Sequence, residues 1–584
     1  MSIAAENGGN PNDFLFSVRS VVLDSGQTLE LPGSGVTAIV GPNNSGKSTL
    51  LRQIRSSIID GESYSTETSG FRLVRRVQIE TSGTDVDAFA WFTKHASARQ
   101  MPHGLVYRVR DGVEFHHSRL VQKIQENFSA GISELEHVLI SYGDAWGRIQ
   151  GAQPVEQRDY FSDSPMSPLH VLQDNQLLFD ELKRINLRVF GQTLTLDRLS
   201  RQVNLRVGDS SIPAPPVDRL TADYLDSLAS LPKVSDQGDG VRSLIGILAP
   251  LVTSTHPVVI IDEPEAFLHP PQATALGRIL GEQARMRGIQ VILATHDKNL
   301  LAGLLESEAD TSIVRLSRSV ENVTSAHQLD VAALRSIWND PVLRYSNVLD
   351  GLFHRLVVLA EGDRDCRFYA AALESADSES QFLFPPGDVL FVPSGGKAGM
   401  PRLARVLRAV NVPVVATPDL DVLNSREVIK AVVESVGGDW ESLEKDYRLA
   451  TEQFRQPREQ ATIGQVLAAL NGVFAGRHEE AFTAEIRRDF AAQIRAKESP
   501  WSALKDYGEL AFKGQSAQAA HRLLGNLDSI GVVTVRVGEL EGFAPALGVA
   551  KGAAWLPAAI AAGVHKDAAA QKHVMTLVAS PGRA

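Results

Sequence analysis

Two groups of residues in this chain combine types and spacings that chemistry requires. The first is a phosphate-binding set. Residues 36–54, VTAIVGPNNSGKSTLLRQI, read as a buried strand, a glycine-rich turn and a helix. Gly41 to Ser48 fits G-x-x-x-x-G-K-S in the strand-turn-helix context that gives that pattern meaning. Backbone N–H groups of the turn, from Gly41 through Asn44 and Gly46 to Thr49, would cradle phosphates at the helix N-terminus. Lys47 would reach the β- and γ-phosphates, and Ser48 would hold Mg²⁺. In HPVVIIDEPEAFLHP, the run Val258 to Ile261 delivers Asp262 and Glu263 to the C-terminal end of a central parallel strand. Asp262 is placed for Mg²⁺ and Glu263 to polarise the attacking water. IQVILATHDKN ends a third strand with His296, which either senses the γ-phosphate or is a structural histidine.

The second group is a set of carboxylates. RLVVLAEGDRD places Glu361 just past an apolar run, and VPVVATPDLDVLN ends another strand in Asp419 and Asp421. Two positions apart on extended chain, Asp419 and Asp421 can face one cation together with Glu361. Crowded carboxylates repel one another and shift their pKa values unless a cation joins them. Hard oxygen donors favour Mg²⁺ or Mn²⁺. Between these strands, DVLFVPSGGKAGMPRLARVLRAV reads as strand, glycine-rich turn and helix. Its Arg402, Arg405 and Arg408 recur at helical spacing, either to position DNA phosphates or as a solvated face.

The elements that must position these residues read as two α/β bodies. The chain has 584 residues, too many for a single core. Strands alternate with helices in both halves, which predicts parallel sheets with their active edges at the strand C-termini. In the first half, LLFDELKRINLRVF and FSAGISELEHVL read as helices, TLTLDRLSRQVNLRV as strands, and SDSPMSPLHVLQ as a linker. In the second, REVIKAVVESV, DWESLEKDYRLATEQF and EEAFTAEIRRDFAAQIRAK have polar helical spacing. The start, MSIAAENGGNPND, carries no signal-peptide pattern, and apolar runs are too short to span a bilayer. Cys366 is the single cysteine, which excludes an intrachain disulfide and a thiolate metal cage. A cytoplasmic protein is expected. The net charge of −11 argues against coating nucleic acid through bulk charge, while leaving a local basic channel open.

GPNNSGKS, VVIIDEPEAFLHP and VILATHD resemble the ATP-binding-cassette ATPases of the recombination, repair and chromosome-maintenance type. The resemblance implies that SDQGDGVRSLIGIL is the signature segment, with Ser235, Gly238 and Gly240 meeting the nucleotide of a second subunit. It implies a dimer or tetramer, and it makes Gln78 a candidate glutamine-loop residue. An early Glu in E-G-x-x-D followed by D-x-D resembles the Toprim domain. A cassette ATPase followed by Toprim resembles the overcoming-lysogenization-defect (OLD) nuclease family, which includes the nuclease subunit of the Gabija anti-phage system. The implied layout is an α/β, ABC-type P-loop ATPase over 14–345 with a dimerising region inserted within 100–230. A Toprim domain over 346–560 follows, with a helical insertion at 425–525 and a tail at 561–584.

By the same resemblance Glu361 is a metal ligand or general base, Asp365 a further metal-site acid, and Asp419 and Asp421 the metal pair. VRVGELEG would add Glu539, preferred over Glu541, and Lys397 or Lys551 would steady the scissile phosphate, Lys551 being better placed. VLN after Asp421 lacks the third acid of the pattern. The implied activity is an ATP-regulated DNA endonuclease that uses Mg²⁺ or Mn²⁺, in anti-phage defence, with an accessory protein such as a helicase as a possible partner. The alternatives are a non-nucleolytic DNA-binding ATPase of the repair type and a sensor subunit of a defence complex.

Overall fold

The computed structural model describes residues 13–580 except 62–71, 103, 110–112, 161–164, 254–255, 319–322, 341–346, 377–384, 456–461, 476–479, 482, 484–485, 488–489, 491–499 and 550. The chain divides into two compact units, Met1–Tyr345 and Ser346–Ala584.

The first unit is built on a six-stranded sheet. Its strands run in the order Thr324–Gln328, Thr311–Arg318, Gly35–Val40, Gln290–Ala294, Val258–Asp262 and Ile140–Gly143. All neighbours pair in parallel apart from the first two. Every residue of Gly35–Val40 and of Gln290–Ala294 is buried, as expected of central parallel strands covered on both faces. The helix Lys47–Asp60 follows the phosphate loop and buries Leu50, Leu51, Ile54 and Ile58, a stripe at helical spacing. A separate antiparallel sheet joins Thr28–Glu30, Leu15–Leu23 and Val74–Ser82.

Three local readings gain detail in this unit. Residues 140–143, within the 100–230 stretch expected to hold the insertion, form an edge strand of the main sheet. A four-residue strand carries too little periodicity to stand out beside a helical pattern. The segment read as a linker contains the helix Pro168–Asp174, capped by Ser167 with Pro168 at its first position. Of FSAGISELEHVL only Ser133–Leu135 and Glu136–Leu139 are helical.

The second unit has a parallel three-stranded sheet in the order Val389–Pro393, Leu356–Ala360 and Val414–Thr417. Single parallel bridges, Ala416 to Val532 and Asp419 to Val535, continue it by one line. The segment after Val414–Thr417 contains the helices Arg426–Ser435, Trp440–Arg455, Ile463–Phe474, Ser502–Tyr507 and Gly514–Ser529. Most of EEAFTAEIRRDFAAQIRAK lies outside the described residues. Residues 561–584, read as a tail, supply the helix Ala568–Ala579. Its Val574, Leu577 and Val578 pack with Phe368, Tyr369 and Trp555 in the unit's core. An alanine-rich surface with a narrow apolar stripe looks polar in sequence and becomes core once a sheet lies beneath it.

Candidate functional sites

In the first unit the phosphate loop is closed on itself. Gly46 adopts a left-handed conformation, φ 99°, just before the helix begins at Lys47. Lys47 Nζ donates to the carbonyls of Gly41, 2.8 Å, and Pro42, 2.9 Å. Burial lowers the Lys47 ammonium pKa, against the pull of Glu263, Glu265 and Asp262. Ser48 Oγ donates to Asp262 Oδ1 at 3.1 Å, so the two predicted Mg²⁺ ligands already meet. Burial raises the Asp262 carboxyl. Asn44, φ 61°, lies in the loop, and Thr49 Oγ1 accepts from Arg52.

Glu263 has a left-handed backbone, φ 47°, an uncommon state for a residue with a Cβ. Arg148, only 2% exposed, explains how that turn is held. Its guanidinium donates to the carbonyls of Asp262, 2.6 Å, and Glu263, 2.9 Å. It comes from the short helix Ala145–Gly151 after the edge strand. His296 Nδ1 lies 3.3 Å from Glu263 Oε1. Glu265, buried, accepts from Thr295 Oγ1 at 2.8 Å and from the His296 backbone N–H at 3.0 Å, and the His296 Nδ1 also lies 3.5 Å from its Oε1. Arg148 and Glu265 are the site residues that sequence reasoning missed. The second acid of D-E-P-E was a visible signal for Glu265, whereas Arg148 had none.

Ser235, Gly238 and Gly240 sit at the start of the helix Asp239–Thr253. Ser235 Oγ donates to Asp236, and Gly240 lies against the Phe267 carbonyl, where an added Cβ would come within 2.7 Å. Gln78 lies on Val74–Ser82 of the separate antiparallel sheet and accepts from Ser20 Oγ. Strand alternation in RRVQIE is what placed it there.

In the second unit the ends of two neighbouring strands bring three acids together. Glu361, Asp419 and Asp421 each present a carboxylate oxygen within 4.8 Å of the others. Glu361 follows Leu356–Ala360 directly, and its Oε1 accepts from the Asp419 N–H at 3.1 Å. Asp421 returns through the 3₁₀ turn Leu420–Asn424 rather than along extended chain. Burial, and then Glu361, Asp365, Asp421 and Glu539, push the Asp419 carboxyl up to about 8. Burial also raises Glu361. Such a set of oxygen donors fits a hard divalent cation, which would relieve the crowding that now favours protonation.

Two cations already lean on the cluster. Lys397 Nζ and Lys505 Nζ lie 3.0 Å and 3.1 Å from Asp421 Oδ2. Asp365 is not among these three acids, and its Oδ2 caps the helix Asp363–Glu374 by accepting from the Gly362 N–H at 2.8 Å. Lys551 Nζ pairs with Glu539 at 2.6 Å, and Arg364 with Glu541 at 3.1 Å. Of the arginine row, Arg402 and Arg405 are exposed, while Arg408 turns to the Ser435 carbonyl. The buried Cys366 thiol is raised to about 12 by burial, so it is no nucleophile at neutral pH.

These features define an α/β P-loop ATPase unit and a second α/β unit with an acidic cluster suited to a divalent cation. A family model described as "AAA domain, putative AbiEii toxin, Type IV TA system" matches residues 224–302. The OLD nuclease of Thermus scotoductus (strain ATCC 700910 / SA-01) is 26% identical over 441 residues, 68% of this chain and 80% of that protein. The phosphonates import ATP-binding protein PhnC 2 of a Synechococcus species is 25% identical over 274 residues, 47% of this chain and 69% of that protein. Among solved structures, an SMC head bound to the C-winged helix domain of ScpA covers 55% of this chain and 99% of its own, at 13% identity and TM-score 0.33. CbiO1 of Clostridium perfringens covers 57% and 97%, at 15% identity and TM-score 0.28. The assignment of the first unit rests on its own sheet and phosphate loop rather than on these superpositions. No helix among the described residues is long and apolar enough to cross a membrane.

Proposed function

We propose that the protein is an ATP-regulated, divalent-metal-dependent DNA endonuclease of the OLD type, with a Toprim second domain. The observation that carries this reading is the convergence of Glu361, Asp419 and Asp421 at a parallel sheet edge, with lysines on Asp421. The similarity to a protein named OLD nuclease supports it. Glu361, Asp419 and Asp421 would hold Mg²⁺ or Mn²⁺, with Asp365 and Glu539 as surrounding acids. Bound there, the cation would lower the pKa of a water and offset charge on the phosphate. Glu361 would take the water's proton, and Lys397 would hold a phosphate oxygen. Lys551 belongs to the same region through Glu539.

In the ATPase unit, Lys47, Ser48 and Thr49 would hold the nucleotide phosphates and Asp262 the Mg²⁺. Glu263 would act as base on the attacking water and His296 would orient it. The segment with Ser235, Gly238 and Gly240 would complete the site of a second copy, giving a dimer or a dimer of dimers. DNA is the proposed substrate, anti-phage defence in the cytoplasm the proposed role, and an accessory helicase a candidate partner. The test is cleavage of supercoiled and linear DNA by wild type and Glu361→Ala, with Mg²⁺ or Mn²⁺, with and without ATP. Metal-dependent cleavage that vanishes in Glu361→Ala supports the reading. Binding without cleavage by the wild type in every condition would shift it to a non-nucleolytic DNA-binding ATPase.

A further inference from the structure

Two lysines share one oxygen of Asp421. Lys397 and Lys505 both reach its Oδ2, at 3.0 and 3.1 Å. Two ammonium groups sharing one oxygen repel each other, and a divalent cation on the cluster would add a third positive centre. The cation would compete with both lysines for Asp421, and the more weakly held lysine is the one to yield. Lys397 is the better held, since its Nζ also approaches the Asp421 carbonyl at 3.5 Å and its side chain is 27% exposed. Lys505 is 44% exposed, and among the described residues Asp421 Oδ2 is its partner.

The backbone beneath Lys505 is anchored while its side chain is free to swing. Lys505 belongs to the helix Ser502–Tyr507, whose Leu504 is fully buried. A Cβ on Gly538 would lie 2.3 Å from the Lys505 carbonyl oxygen, and one on Gly508 would lie 2.2 Å from that of Arg536. Glu509 N–H donates to the same Arg536 carbonyl at 2.9 Å. Backbone thus meets backbone, and this helix is locked onto the segment that leads to Glu539. The long flexible stem of a lysine can move its charge by several ångströms without moving the helix.

We infer that Lys505, held on Asp421, yields that carboxylate to a divalent cation and then binds the phosphate being cut. This rests on the nuclease reading of the cluster. Lys505 would make the insertion a participant in the site, linking metal loading to the grip on substrate.

The test is calorimetric titration of the nucleotide-free, full-length protein with Mn²⁺, beside DNA cleavage at saturating Mn²⁺. Lys505→Met should bind Mn²⁺ roughly two- to fivefold more tightly, because a competing ion pair is gone. Its cleavage rate should fall about tenfold or more, because a phosphate contact is gone. Lys505→Arg, which keeps the charge, should return Mn²⁺ affinity toward wild type. Unchanged or weaker Mn²⁺ binding by Lys505→Met overturns the inference, as does full cleavage at saturating Mn²⁺. Glu361→Ala separates the two levels. If it binds Mn²⁺ as wild type does, the nuclease reading falls together with this inference. If it loses Mn²⁺ while Lys505→Met matches wild type, the lysine inference alone falls.

Discussion

The phosphate loop and the carboxylate cluster balance their charges in opposite ways. In the loop, every charged group has a neutral or complementary partner inside the protein. Lys47 rests on two backbone carbonyls and Ser48 on Asp262. The turn after Asp262 is fixed from behind by Arg148. The cluster is crowded with like charge instead, and it is quieted by protonation of Asp419 and by lysines drawn onto Asp421. One site is balanced by neutral and complementary partners. The other gathers like charge that a divalent cation would offset, so metal should change its stability as well as its activity.

Breaking the second site should have the largest effect. Glu361→Ala or Asp419→Ala should lower DNA cleavage by about three orders of magnitude or more, because the cation they hold supplies the chemistry. ATP turnover should survive in both, as measured by phosphate release. The reciprocal variant, Glu263→Gln, should slow ATP turnover by roughly 10²-fold or more while still binding ATP. Loss of both activities in any of these variants would collapse the distinction between the sites.

Arg148→Met probes the ATPase site. It leaves the Asp262 and Glu263 carbonyls without their buried donor, a loss of about 1–3 kcal/mol in thermal or urea unfolding. ATP turnover should fall with it, and metal binding at the second unit's cluster should not.

The cluster should reveal itself in pH dependence. The folded Asp419 keeps its proton up to about 8, against an ordinary value of 3.8. Between those values the folded state holds a proton that the unfolded chain has released, so stability is complete at low pH and declines as pH rises. In EDTA, the Tm of wild type should fall across roughly pH 4 to 8 relative to Asp419→Asn. Mg²⁺ should reverse the fall at pH 8. A difference between the two proteins that is flat with pH would contradict the crowding.

The smallest effect concerns the exposed arginines. Arg402→Ala and Arg405→Ala should change stability by no more than about 0.5 kcal/mol. Each should weaken DNA binding by a few-fold and reduce its salt dependence, read by anisotropy at two salt concentrations.

The legible parts of both sites are those written in contiguous residues. The run from Val36 to Ser48, the strand ending at Asp262, and the acids at 361, 419 and 421 each follow from strand periodicity and a terminal polar group. The illegible parts depend on partners far along the chain. Arg148 meets carbonyls 114 and 115 positions away. Lys505 reaches Asp421 from across the helical insertion, and nothing in SALKDY marks it. The strand Ile140–Gly143 has four residues, too few for periodicity to mark it. The helix Ala568–Ala579 became core only because Phe368 and Trp555 cover its apolar stripe.

The proposed function requires two separate cation sites with different prerequisites. Electron paramagnetic titration of bound Mn²⁺, with and without a non-hydrolysable ATP analogue, tests it most directly. Wild type should bind Mn²⁺ without nucleotide and bind more when the analogue is added. Glu361→Ala should lose the nucleotide-independent Mn²⁺ and keep the nucleotide-dependent fraction, while Lys47→Ala should do the reverse. If Glu361→Ala keeps the nucleotide-independent Mn²⁺, or loses both fractions together, the two-site account is wrong.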